Sequence, residues 1–179
     1  MSDALTKASE KQRILSVSSD AWPTDLSTQV NDDLLMGAIS FLLLRYTGKK
    51  SLELPYSNAI GNKVRKWDLT DSTTLGDLQS RFEDRDKEPS SQSDELSEWN
   101  PGFTRDDGAR SPHFHSSDPD YPQLLFSAST SPEPILRIHS THSKHTKDFL
   151  KQLLDHWIHS VRLLTEQSDK KAFISSILT

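Results

Sequence analysis

At 179 residues the chain has the length of one domain, long enough to bury a core, but a hydrophobic share of 33% and a mean hydropathy of −0.65 predict that part of it does not pack. The absence of cysteine excludes a disulfide scaffold and a thiolate metal site and suits a reducing compartment. A net charge of −5 argues against a nucleic-acid partner, whose binders carry a basic patch.

Residues 1–29 hold one apolar cluster, "RILSVSSDAWPTDL", through which Pro23 prevents a continuous helix. They read as an extended arm that docks Ile14, Leu15, Val17 and Trp22 on the body. No charged leader with a cleavable apolar segment follows Met1, so the expected location is cytoplasmic. The body is expected to run from residue 30 to residue 179.

It opens with a helix. Asn31 is placed as N-cap, Asp32 and Asp33 sit in the first turn where negative charge offsets the helix dipole, Arg45 lies in the last turn, and Gly48 suits a left-handed C-terminal cap. Leu34 to Leu44 is uncharged throughout. That run is too short for a bilayer, which takes roughly 20 residues. A helix hydrophobic on nearly every side has to be covered on every side, between a sheet and other elements.

Two strands are expected next. In "SLELPYS", Leu52, Leu54 and Tyr56 alternate with polar positions; "KVRKWDLT" alternates through Val64, Trp67 and Leu69 with one slip. "TTLGDLQSRF" then starts a helix from a threonine cap, with Leu75, Leu78 and Phe82 on one face. From Glu83 to Ala109 nine acids face only Arg85, Lys87 and Arg105, so the acidity belongs to one segment. Residues 87–120 read as an acidic surface loop inserted in the domain, with "SSQSDELSEW" as helical turns and "SPHFHSS" as an edge strand. Deletion of Pro89–Asp106 is expected to leave the fold nearly intact.

"YPQLLFSAS" and "PILRIHSTHS" are strand-like. In the last helix Phe149, Leu150, Leu153, Leu154, Trp157, Ile158, Val161 and Leu164 follow helical spacing from a Thr146 cap, with Lys151, Gln152, Asp155 and His159 outside. The tail "AFISSILT" adds a short apolar extension.

The chemistry-bearing residues are few. His139, His142 and His145 recur every third residue, and His113 and His115 lie elsewhere; imidazoles can ligate zinc, but a spacing of three across a strand end puts side chains on opposite faces. No metal site is expected. His156 and His159 read as solvated. Ser140 or Ser160 as a nucleophile needs an oriented base and an oxyanion hole, and no Gly-x-Ser-x-Gly elbow is present. Dinucleotide and phosphate-loop glycine motifs are absent too.

Two segments together resemble a family. "GAISFLLLRYTGKKSLELPYSN" resembles the helix and strand that open the C-terminal lobe of condensation domains in nonribosomal peptide synthetases. "PILRIHSTHSKHTKDFLKQLLDHWIHSVRLL…FISSILT" resembles that lobe's last strand, last helix and exit segment, and "TLGDLQSRF" falls where the family has an intervening helix. The resemblance covers residues 30–179 apart from the acidic segment. It implies an α/β fold of the α+β two-layer kind, a mixed sheet with packed helices making half of a CoA-dependent, chloramphenicol-acetyltransferase-like acyltransferase fold.

Condensation domains use a His-His-x-x-x-Asp-Gly motif. This sequence has no His-His pair, and its Asp107-Gly108 follows "FTRD"; an Asp-Phe-Gly-Trp-Gly bridge is missing as well. The resemblance therefore implies no catalytic, cofactor-binding or metal residue here. It points instead to a shortened, non-catalytic lobe that leads the adenylation domain of an adenylating reductase, above all the L-2-aminoadipate reductase of lysine synthesis. That parent uses ATP, NADPH and phosphopantetheine at sites outside these residues. The implied partners are a downstream adenylation domain in cis and a carrier-protein domain, with Trp157, Phe173 and Ile177 as docking residues; no membrane partner is expected. The alternatives are a fragment of a synthetase condensation domain that transfers acyl groups with a second lobe, and a free-standing interaction protein using the acidic loop.

Overall fold

The computed structural model describes residues 14–20, 31–58, 61–68, 70, 72–80, 84–86, 99–105, 122–129, 134–167 and 169–174. Helix α1, Asp32–Thr47, begins and ends as its caps dictate. The Asn31 side chain accepts the Leu34 N–H at 2.9 Å. At the other end Gly48 turns left-handed (φ 69°) and donates its N–H to the Leu44 carbonyl. Ten α1 residues, Leu34–Ser40 and Leu42–Leu44, are buried, as an all-round apolar helix requires.

The strands are β1 (Leu15–Ser18), β2 (Ser51–Asn58), β3 (Gly61–Asp68), β4 (Asp84–Asp86), β5 (Pro101–Arg105), β6 (Leu124–Ser129) and β7 (Ile135–Ser140). They form one mixed sheet in the order β1-β7-β6-β5-β2-β3-β4. β5 is parallel to both β2 and β6, and the remaining pairs are antiparallel. Helix α2 spans Leu75–Ser80 and α3 spans Lys147–Glu166, the latter capped by the Thr146 side chain.

One face of the sheet carries the core. Val17, Leu52, Leu54, Tyr56, Trp67, Phe103, Leu124, Phe126, Ala128, Leu136 and Ile138 pack there against α1 and α3. The two long helices are joined through Trp157, whose Nε1 donates to the Leu35 carbonyl at 3.2 Å and whose ring stands edge-on to Phe126 at 5.2 Å. The arm is docked as expected: β1 adds the edge strand beside β7 and buries Val17, while Ile14 remains exposed. Trp22 lies outside the described residues.

Two expectations are corrected. The β2–β3 hairpin is paired without a slip, from Ser51↔Asp68 to Asn58↔Gly61. Arg65, opposite Leu54, occupies the helix-facing position between Lys63 and Trp67, and Val64 lies on the other face. Arg65 is tolerated there because Asp33 pairs with it and its guanidinium stacks over Tyr56 (5.5 Å) and Trp67 (5.7 Å).

The second correction concerns the acidic loop. Its residues 101–105 are β5, the middle strand of the sheet, and Phe103 is fully buried between Tyr56 and Phe126 in register. Parallel strands need a long crossover, and residues 106–123 supply its length between β5 and β6. Deletion through Asp106 would remove a central strand. The helical turns expected before Trp99 and the edge strand at 111–117 fall outside the described residues, as do Leu69 and Phe82.

Residues 169–174 belong to the body. Thr74 and Asp77 form a reciprocal cap on α2: Asp77 N–H to Thr74 Oγ1 at 3.2 Å and Thr74 N–H to the Asp77 carboxylate at 3.0 Å. The next N–H groups, of Leu75 and Gly76, donate to the carbonyls of Ala172 (3.0 Å) and Lys170 (2.8 Å). Ile174 returns an N–H to the Thr73 carbonyl and buries its side chain in the core.

Candidate functional site

The sheet's second face is chemically unlike the first. All three described helices pack on the core face or beside it. On the other face, one register row places Ser57, Thr104, Ser127, Arg137 and Ser18 side by side across five strands. The adjoining row holds Gly102, Leu125, His139 and Ser16. Alternation explains the two rows: successive residues of a strand face opposite sides, so Tyr56, Phe103, Phe126, Ile138 and Val17 meet the helices while these residues take the reverse. His139 is held by two serines, with Ser16 Oγ 2.7 Å from Nδ1 and Ser127 Oγ 3.5 Å from Nε2. Thr104 is only 5% exposed, and its hydroxyl has no hydrogen-bond partner among the described residues.

A second cluster lies where β7 runs into α3. The Ser140 hydroxyl, 1% exposed, accepts the His142 N–H at 3.1 Å and lies 2.6 Å from His145 Nδ1. His142 Nδ1 accepts the Lys144 N–H at 3.2 Å, and the His142 and His145 rings stand 4.8 Å apart. His145 also meets Trp99 (6.0 Å) and Phe149 (5.2 Å), both of which contact Tyr46 at the end of α1. Tyr46 is 2.8 Å from His156 Nδ1 through its hydroxyl. Burial pushes the His145 imidazole below its usual proton affinity, and the neighbouring His142 adds to this.

The structure thus separates the three recurring histidines. His142 and His145 converge, while His139 lies on the sheet's second face against Ser16. Among the described residues no group of three or more His, Asp or Glu is placed to hold a metal ion; His113 and His115 lie outside them. Ser140 does have an imidazole within hydrogen-bond reach, which the sequence did not reveal. Its oxygen is buried and accepts a turn N–H, a structural role in closing the turn. Ser160 is buried on α3.

Of the docking candidates, Trp157 is corrected. It is 0% exposed and fastens α3 to α1 and the sheet, so it has no surface to offer a partner. Phe173 is 49% exposed, with its backbone bridged to Thr74. Ile177 is outside the described residues. Among the described residues no helix is long and apolar enough to cross a membrane.

No protein-family profile matches the sequence, and no curated protein matches it. Solved structures do. The starter condensation domain of the rhizomide synthetase RzmA superposes with a TM-score of 0.60 at 13% identity, over 94% of this chain and 49% of that one. The condensation domain from the monacolin K polyketide synthase MokA gives 0.59 at 10% identity, over 96% and 52%. The X-domain of teicoplanin biosynthesis, solved in complex with OxyB, gives 0.56 at 14% identity, over 93% and 48%. The chain therefore has a condensation-domain-like fold and spans about half the length of the solved structures it matches.

Proposed function

We propose that the chain is the C-terminal lobe of a condensation-type domain and serves as a non-catalytic docking module in a multidomain adenylating enzyme. One observation carries this reading: nearly all of the chain follows one half of the condensation fold, while its 179 residues hold no His-His pair. The histidines and serines that the fold brings together have structural uses, and the X-domain, a protein of similar fold, was solved bound to a second protein. The partner in this reading is a downstream adenylation domain, with a carrier-protein domain as the next candidate. The parent is an L-2-aminoadipate reductase, whose ATP, NADPH and phosphopantetheine are handled by its other domains.

The test is to mix the chain with separately produced adenylation and carrier domains of such a reductase. Association by calorimetry is expected with the adenylation domain, without turnover of an aminoacyl thioester by the chain alone. Turnover that disappears in His139→Ala would overturn the non-catalytic reading, and absence of binding would overturn docking.

A second reading is acyl transfer completed by another lobe. It is favoured by a variant of the rhizomide synthetase starter domain solved with C8-CoA and Leu-SNAC and by the histidine-bearing second face of the sheet here. It requires thioester turnover to appear only when a complementary lobe is added.

A further inference from the structure

We infer that His142 and His145 form a pH-sensitive clasp on the turn that launches α3, holding it closed when neutral and opening it when protonated. Hydrogen-bond chemistry gives the mechanism. A backbone N–H can only donate, so the Lys144 N–H bond fixes His142 Nδ1 as an acceptor. In the neutral ring the proton must then sit on Nε2. An imidazolium carries protons on both nitrogens, so protonation of His142 sets two donors against each other and breaks that bond.

The same turn depends on His142 twice more. Its N–H donates to Ser140 Oγ, and its carbonyl accepts the His145 N–H at 3.2 Å. Losing the Lys144 contact therefore loosens the segment that positions the Thr146 cap and the first turn of α3.

The surroundings of His145 oppose charge on its ring. The rings are 4.8 Å apart, so a second proton meets the first at short range. His145 directly precedes the N-terminus of a 20-residue helix, whose positive dipole end disfavours a cation there. From the turn comes Lys144; the first turn of α3 carries Lys147 and Asp148, the latter being its acid. Across the aromatic contacts lie Tyr46 and His156, with Arg45 beside Tyr46. Trp99 and Phe149 present rings, and Ser140 an uncharged hydroxyl.

The sign follows from His145. Its native proton affinity is lowered by burial first and by His142 second, so the unfolded or opened chain binds the proton more readily. Stability is fully present above the ordinary imidazole value of 6.5 and is lost as pH falls through the lowered native value. Uptake of one proton on opening raises the opening constant by up to about tenfold per pH unit in that window. Opening frees Trp99 and Phe149 from His145 and so loosens the end of α1 that carries Tyr46.

The experiment is amide exchange on the full chain between pH 7.5 and 5.0, corrected for intrinsic exchange, with the histidine ring protons titrated by NMR on the same samples. Protection at Thr141–Leu150 should fall by up to about tenfold per unit below pH 6.5, while β6 stays protected. The double variant H142Q/H145Q, whose amides accept the same bonds without titrating, should keep its protection. Loss of protection that is equal in the double variant would overturn the clasp. So would opening at a pH where neither ring titrates, a readout that needs only the wild-type chain.

Discussion

The indole of Trp157 ties three elements together at once: it belongs to α3, bonds the carbonyl of Leu35 in α1, and stands against Phe126 of the sheet. Trp157→Ala should therefore cost about 3–5 kcal/mol, as for other buried aromatics, and chemical denaturation of the isolated chain measures it. Ser40 predicts the opposite sign. Its hydroxyl is buried inside α1 with no hydrogen-bond partner among the described residues, so nothing there compensates for the water it lost. Ser40→Ala is expected to be neutral or to stabilise by about 1 kcal/mol; a loss of similar size would mean that the hydroxyl is bonded. The caps at Asn31, Gly48 and Thr146 were legible as single residues because each acts on the backbone a few positions away. Arg65 was not, because its acceptability depends on Asp33 and two rings from other elements.

Elements with strong periodicity, α1 and α3 above all, follow from sequence because helical spacing needs no knowledge of the partner. β5 does not: "PGFTR" holds one large apolar residue directly after a proline and a glycine and follows an acidic tract, so it reads as loop. Its place in the middle of the sheet comes from pairing with β2 and β6, which are distant in sequence. Gly102 marks the strand physically. A Cβ there would come within 2.4 Å of the Pro122 ring, so only glycine fits beneath that proline. Gly102→Ala should destabilise by about 1–3 kcal/mol, the usual cost of overpacking, measured by thermal or urea unfolding. A deletion series separates strand from connection. Removing Ser90–Asp94 leaves five residues between Lys87 and Glu98 and should preserve a cooperative transition, since loop length costs only logarithmically. Removing Pro101–Arg105 should abolish it. The imidazole–aromatic cluster was illegible for the same reason as β5: Tyr46, Trp99, His145 and His156 meet only after the sheet, α1 and α3 have packed.

At the scale of the whole molecule, the question is which surface a neighbouring domain would use, and the C-terminal segment discriminates. Residues 169–174 are clamped by backbone bonds to Thr73, Leu75 and Gly76, and the clamp does not depend on the Phe173 side chain. The anchor within that segment is Ile174, buried in the core, a residue the sequence reading passed over in favour of its exposed neighbour. Phe173 keeps half its surface in solvent, and a large aromatic left so is a common anchor in protein interfaces. Ile174→Ala should thus cost about 2–5 kcal/mol in the isolated chain. Phe173→Ala should cost well under that in isolation, yet weaken association with the adenylation domain by tenfold or more if the docking reading holds. Trp157→Ala should destabilise the chain while leaving the affinity of its folded fraction unchanged, because no part of the indole reaches the surface. Denaturation of each variant alone, followed by calorimetric titration with the adenylation domain, resolves the two effects. Equal affinity of wild type and Phe173→Ala would move the interface elsewhere, and the sheet's second face, with His139 and its row of serines, would be the surface to substitute next.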